Sequence, residues 1–315
     1  MTAAPAQGAA RTMLARAKVN YALHVTGQRD DGYHLLESLV AFPQAGDRLT
    51  LETGGPGTGT PPDGSGPGLC VSGPFAEGLD GAGTDDNLVL RAARAFLSRA
   101  SEDDAPALSF HLDKTLPVAS GIGGGSADAA AALTLLDQAF PGRLTPAELG
   151  GIAETLGADV PMCLEGRPAL VSGIGEAVSP LAALPGHALV LVNPGVPVAT
   201  PAVFRALSRR DNPPLPPLPG TGLATLDALT GWLAATRNDL EAPAIAVCPQ
   251  IEGVLAALRD QDGVLLARMS GSGATCFAIL EDLAGARALA NRLAIARPGW
   301  WIEAAEVAPV EAPAT

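Results

Sequence analysis

A chain of 315 residues, 47% of them hydrophobic, is long enough for two cores and too apolar to remain disordered. Its 20 Lys and Arg against 33 Asp and Glu leave a formal charge of −13, which excludes broad attraction to nucleic acid or anionic membranes. Cys70, Cys163, Cys248 and Cys276 form no Cys-x-x-Cys pair and read as reduced thiols. No apolar run reaches about 18 residues, and no signal-peptide core opens the chain, so a cytoplasmic protein is expected.

Met1–Ala10 reads as a disordered tail. Ala15–Val25 alternates as one strand, with Val19, Tyr21, Leu23 and Val25 on one face and Lys18, Asn20, Ala22 and His24 on the other. On that pattern alone the polar face is solvated. Turn residues fill Gly27–Gly32, and Tyr33–Val40 reads as a second strand. Arg48–Glu52 is a short strand, followed by a long solvent loop at Gly54–Gly68 that is too rich in Gly and Pro to order itself. Asn87–Ala100 places Leu88, Val89, Ala92, Ala93, Phe96 and Leu97 at helical spacing.

Leu108–Leu112 alternates as a strand and leads into Leu116–Leu133, LPVASGIGGGSADAAAAL. Here Gly121, Gly123, Gly124 and Gly125 precede Ser126, at an N-cap position, and an alanine-rich helix over Ala127–Phe140, with Asp128 in its first turn. Glycines remove Cβ atoms and permit positive φ, so several N–H groups can converge on one anion, and a helix start adds more. Phosphate fits. The pattern is neither a P-loop, which needs Lys-Ser or Lys-Thr after its last glycine, nor a dinucleotide fingerprint, which wants glycine at 126.

Thr145-Pro146-Ala147-Glu148 is a capping box opening a helix that runs to Leu156 and stops at Gly157. Asp159 follows, before Pro161; it either caps the next turn or serves a site. The second half reads as a strand at Ala188–Val192, a short helix from Thr200 containing Phe204 and a proline-rich loop over Asp211–Gly222. Helices at Leu226–Ala235 and Ile251–Leu258, strands at Val264–Arg268 and Thr275–Leu280, a helix at Leu283–Ala296 and a strand at Trp301–Val307 complete it. Their order resembles a split βαβ, ferredoxin-like domain.

Three segments resemble the motifs of the GHMP small-molecule kinases, which include galactose, homoserine, mevalonate and phosphomevalonate kinases. Arg16-Ala17-Lys18-Val19-Asn20 is similar to their first motif. Pro117, Val118, Ala119, Ser120, Gly121, Ile122, Gly123, Gly124, Gly125, Ser126 and Ala127 are similar to their ATP-phosphate loop. Gly271-Ser272-Gly273-Ala274-Thr275 is similar to the third. AKVNYALHVTGQRDDGYHLLES, LGADVP and RNDLE at Arg237–Glu241 match most closely the branch of the family that acts on a cytidine diphosphate ester of methylerythritol, in the non-mevalonate route to isoprenoids.

That resemblance implies an α+β, two-domain fold: an N-terminal ribosomal protein S5 domain 2-like ATP-binding domain over 12–167 and a C-terminal ferredoxin-like substrate domain over 168–308. It implies phosphorylation of an alcohol by ATP, with Mg2+ carried on the ATP phosphates and no protein metal site. Lys18 and Asp159 match the catalytic pair. Asn20, Tyr33, His34, Thr200 and Phe204 match substrate-binding positions, Tyr33 and Phe204 sandwiching a cytosine whose edge His34 contacts. The expected partner is a small molecule, not nucleic acid or membrane, and the chain is expected to be a monomer or weak homodimer. Ala127 stands where a second serine is common in the family. The rival readings are a mevalonate or homoserine kinase, which GQRDDGYH disfavours, and a nucleotide sensor without catalysis, which retention of Lys18 and Asp159 disfavours.

Overall fold

The computed structural model describes residues 10–54, 66–79, 86–100, 107–220 and 222–311. Residues 1–9 of the expected tail and 55–65 of the expected solvent loop lie outside that set. The first part of the chain forms β1 (Ala10–Arg16), β2 (Val19–Gln28), β3 (His34–Ala41), β4 (Gly46–Thr53) and β5 (Gly68–Ser72). Then come α1 (Leu88–Ala100), β6 (Leu108–Asp113), α2 (Gly124–Ala139), α3 (Pro146–Leu156) and α4 (Val160–Glu165). The later part holds β7 (Ala169–Gly173), β8 (Ala177–Pro180), β9 (His187–Asn193), α5 (Thr200–Arg205) and α6 (Leu226–Ala234). It ends with α7 (Glu241–Val247), α8 (Gln250–Arg259), β10 (Leu266–Met269), β11 (Cys276–Leu280), α9 (Leu283–Ala296) and β12 (Trp301–Val307).

These elements form two compact units that the chain enters more than once. Among the described residues, one is built from those within 10–16, 46–118 and 124–166; the other from those within 17–45, 119–123 and 167–311. Compactness therefore does not follow a single cut at 167/168, because β2, β3 and five residues of the glycine loop pack with the later half.

In the first unit the sheet order is β1-β4-β6-β5, with β5 and β6 parallel and the other pairs antiparallel. β4 buries Asp47, Leu49, Leu51 and Thr53 on its inner face while Arg48 and Glu52 face water, the half-buried alternation of an antiparallel strand. α1 lays Val89, Ala92, Ala93 and Phe96 on this core as its spacing requires. α2 is buried almost all round, from Ala127 to Ala139, as a central helix must be. Its alanines let neighbours approach closely, while full burial of Leu133 or Leu136 contributes about 1.5–3 kcal/mol each. Thr145 and Glu148 make both bonds of the expected capping box, at 3.0 and 3.3 Å, and α3 ends before Gly157.

The second unit contains two antiparallel sheets, ordered β2-β3-β7-β8 and β10-β11-β9-β12. Counting only the strands of the latter, the order is the reverse of 4-1-3-2, the arrangement of a ferredoxin-like domain, as expected.

Four expectations need correction. Ala15–Val25 is not one strand: the chain leaves one sheet after Arg16 and joins another at Val19. Nor do Val19, Tyr21, Leu23 and Val25 share one face. A bulge between Asn20 and Ala22 slips the register, so Val19, Tyr21 and Ala22 enter one core cluster and Leu23 and Val25 another. Both faces of β2 are buried from Val19 to Val25, Asn20 at 4% exposure and His24 at 0%, and Lys18 just before it is 8% exposed, so the polar face is not solvated. Period-2 alternation reads the same in a half-buried strand and in one covered on both sides by mixed residues. Finally, α2 begins at Gly124, so Ser126 lies inside the first turn and is not the N-cap, and Asp128 lies beyond that turn.

Candidate active site

Within the second unit the three motifs meet. The Lys18 amide donates to the Ile122 carbonyl at 2.9 Å, joining the start of β2 to the glycine loop. Ser270 Oγ accepts the Asn20 N–H at 3.0 Å and donates to the Gly121 carbonyl at 3.1 Å. The Thr275 amide donates to Ser120 O at 3.1 Å. Gly121 is at φ +78, and a Cβ there would stand 2.7 Å from the carbonyl oxygens of both Gly273 and Ser270. Only glycine permits that approach of the second and third motifs. Ile122 is fully buried, so its side chain anchors the loop.

The same unit organises the expected acceptor residues. Asn20 Nδ2 donates to Ser38 Oγ at 2.8 Å, whereas Asn20 Oδ1 is buried without a hydrogen-bond partner. Thr200 Oγ1 and Ser272 Oγ are 2.7 Å apart, tying the start of α5 to the third motif. Phe204, in the same helix, stacks on His34 with ring centroids 4.7 Å apart and planes inclined 29°. Burial lowers the pKa of His34, and Arg210 adds to the effect, so the ring is neutral near pH 7. Its Nε2 is buried without a hydrogen-bond partner. Tyr33 is 62% exposed, its amide held by Asp31 Oδ1 at 3.2 Å. The platform is therefore a His34–Phe204 stack, with Tyr33 a projecting aromatic beside it in sequence.

RNDLE fastens β2. Asp239 Oδ2 accepts the Val25 amide at 2.7 Å, and Arg237 Nε donates to Asp239 Oδ1 at 2.6 Å. The Arg237 amide donates to His24 Nε2 at 3.1 Å, which places the His24 proton on Nδ1, facing Pro213 O at 3.0 Å. Asn238 Nδ2 donates to Met269 O and Gly271 O, both at 2.8 Å, fixing the turn of the third motif.

In the first unit, Pro117, Val118, Gly124, Gly125, Ser126 and Ala127 supply the remaining parts of the loop. Gly124 and Gly125 open α2, whose first-turn N–H groups have no partner within the helix. Asp159 stands at the N-cap of α4 but makes no side-chain cap bond, so capping is not what its carboxylate does. The far end of α4 is held by Arg16, whose Nη2 donates to Gly166 O at 2.7 Å.

A cluster that sequence reasoning missed lies under the start of α2. Lys114 is 3% exposed and pairs with two buried carboxylates, Asp128 Oδ2 at 2.9 Å and Asp47. Asp47 Oδ1 also accepts the amides of Thr115 at 2.6 Å and Leu116 at 2.8 Å. Burial pushes the Asp128 carboxyl up to about 7, with Lys114 opposing and Asp47 reinforcing that shift. Asp128 Oδ1 is buried without a hydrogen-bond partner, which agrees with a disfavoured charge. Each residue reads as an ordinary charge at the end of an element, and no spacing in the sequence links the three.

Among the described residues no three His, Cys, Asp or Glu gather as a metal site, and no helix is long and apolar enough to cross a membrane. The fold and the convergent motifs define a small-molecule kinase of the GHMP class: residues 87–167 match the GHMP kinases N terminal domain and 222–298 the GHMP kinases C terminal domain. A 4-diphosphocytidyl-2-C-methyl-D-erythritol kinase of Cereibacter sphaeroides (strain ATCC 17025 / ATH 2.4.3) is 52% identical over 93% of this chain and 98% of its own. The protein of the same name in Paracoccus denitrificans (strain Pd 1222) is 50% identical over 96% and 98%. A solved 4-(cytidine 5'-diphospho)-2C-methyl-D-erythritol kinase superposes with a TM-score of 0.74 at 34% identity, over 95% of this chain and all of that one. The chain belongs to the 4-diphosphocytidyl-2-C-methyl-D-erythritol kinase family of the GHMP kinases.

Proposed function

We propose that the protein transfers the γ-phosphoryl group of ATP to the 2-hydroxyl of 4-diphosphocytidyl-2-C-methyl-D-erythritol, giving the 2-phosphate and ADP, in the non-mevalonate route to isopentenyl diphosphate. The observation that carries this reading is the junction of Lys18, Asn20, Gly121 and Ser270 in the unit that also holds the His34–Phe204 stack. One unit thus couples a phosphate loop to an aromatic platform suited to a base. A neutral His34 with an unused ring nitrogen suits the edge of cytosine, and an aromatic face suits its ring. Asn20 Oδ1 and Thr200 are polar groups for the acceptor.

Phosphoryl transfer asks mainly for positioning and electrostatic stabilisation. Pro117–Ala127 is the ATP-phosphate loop in this reading, its backbone N–H groups holding the phosphate oxygens. Asp159 takes the proton of the attacking hydroxyl. The oxygen of that hydroxyl forms the new bond to phosphorus as the bond to the ADP oxygen breaks. Lys18, a cation, offsets charge on the transferring group. In this reading Mg2+ enters with ATP as the counterion of its phosphates, which is its usual mode. In the same reading residues 12–167 provide ATP binding, residues 168–308 the substrate domain, and the protein is cytoplasmic. Release of ADP on addition of the cytidylated acceptor, and not of mevalonate or homoserine, tests the proposal; equal turnover of those alcohols would refute it.

A further inference from the structure

We propose that Asp47, Lys114 and Asp128 are positioning residues for nucleotide binding: one buried charge cluster holds both the entrance of the glycine loop and the start of its helix. At the entrance, Asp47 Oδ1 accepts the amides of Thr115 and Leu116, and Thr115 Oγ1 donates to Gly46 O at 2.8 Å. At the helix start, a Cβ on Gly124 would stand 3.3 Å from Lys114 Nζ and 3.6 Å from Asp47 Oδ2, so the ammonium lies directly beneath the first turn. One turn further on, Asp128 receives Lys114 at 2.9 Å. The three side chains come from β4, the residue just after β6, and α2, and all are at least 97% buried.

Burying three ionisable groups is costly, and apolar residues of similar volume would stabilise this core at least as well. What the cluster supplies instead is a fixed distance between the loop entrance and the N–H groups of Gly124, Gly125 and Ser126. Preorganised donors bind an anion without reorganisation, and a displacement of about 1 Å is enough to weaken such a site by orders of magnitude.

The inference rests on the reading of Pro117–Ala127 as the ATP loop, so the experiment separates the two. ATP affinity by calorimetry, KM for ATP and for the cytidylated acceptor, and thermal unfolding are compared for wild type, Gly125→Val, Asp128→Ala and Asp128→Asn. Asp128→Ala is expected to fold and to weaken ATP by about 10-fold or more, the size of effect seen when outer partners of binding groups are removed at metal sites. KM for the acceptor should not change, and Asp128→Asn, which keeps shape and hydrogen bonding, should return ATP affinity close to wild type. Normal ATP affinity in Asp128→Ala overturns the proposal, as does failure to fold, which would make the role one in the fold alone. An asparagine variant as weak as the alanine one overturns it too. Unchanged ATP affinity in Gly125→Val removes the loop assignment itself, whereas affinity lost there but kept in Asp128→Ala removes only the clamp.

Discussion

The amide of Asn20 donates to Ser270 Oγ at 3.0 Å across 250 positions of sequence, and the same hydroxyl donates to the carbonyl of Gly121 at 3.1 Å. One serine side chain, itself buried, therefore joins the strand of Lys18 and Asn20 to the glycine loop. Ser270→Ala would leave a buried N–H and a buried carbonyl without this partner, a loss of about 1–3 kcal/mol. The expected result is a lower unfolding midpoint together with reduced turnover, and full wild-type stability in chemical denaturation would show that the link is dispensable.

Gly125 gives a prediction in which stability and function move oppositely. It lies in the first turn of α2, and a Cβ there would meet only Leu88 Cδ1 at 3.6 Å, an ordinary contact. Gly125→Ala should therefore stabilise the helix by roughly 0.5–1 kcal/mol. In the proposed reading the added methyl crowds the ATP phosphates, so KM for ATP should rise. Gly124→Val is a poorer probe, because its Cβ presses on buried Lys114 Nζ and confounds binding with folding. A more stable Gly125→Ala variant with unaltered KM for ATP would place the anion elsewhere.

The glycine loop, the capping box of α3, and the helix and strand at Leu283–Ala296 and Trp301–Val307 were legible because each is a local pattern: N–H groups, a cap or a period. Other features were not, because they depend on pairing. The bulge between Asn20 and Ala22 changes which residues of β2 share a face, and only the partner strand reveals it. β7 and β8 are short and α4 is a six-residue helix, too brief for a period to declare itself. Lys114, Asp47 and Asp128 come from three elements with no motif joining them, so their cluster exists only in the fold. Lys18 and Asp159 were singled out by resemblance, since neither position signals catalysis by itself.

The His34–Phe204 stack predicts a split effect. Removing one aromatic face should cost about 1–3 kcal/mol of base stacking. Phe204→Ala should therefore raise KM for the acceptor by roughly tenfold or more while KM for ATP stays near wild type. Comparing the two constants under saturating partner substrate checks this. An effect on ATP alone would remove Phe204 from the acceptor site.

Asp128 gives a dependence on pH. Burial raises its pKa from 3.8 to about 7 in the folded protein, against the pull of Lys114 and with the push of Asp47. Between those two values the folded carboxyl keeps a proton that the unfolded chain releases. Its contribution to stability is therefore present in full below 3.8, declines as pH rises toward about 7, and is level above that. Asp128→Asn removes this titration. The variant should gain stability relative to wild type as pH rises through the window, as read from denaturant midpoints at several pH values. A constant difference would contradict the raised pKa.

Acceptor-dependent phosphoryl transfer with Asp159 as base is tested by single-turnover ADP formation in wild type and Asp159→Asn with saturating ATP and cytidylated methylerythritol. A general base contributes about 10²–10⁴-fold, so the variant should form ADP slower by that order while binding ATP with nearly wild-type affinity. Single-turnover rates in Asp159→Asn within about twofold of wild type, too small for a base at the reacting hydroxyl, would contradict the account.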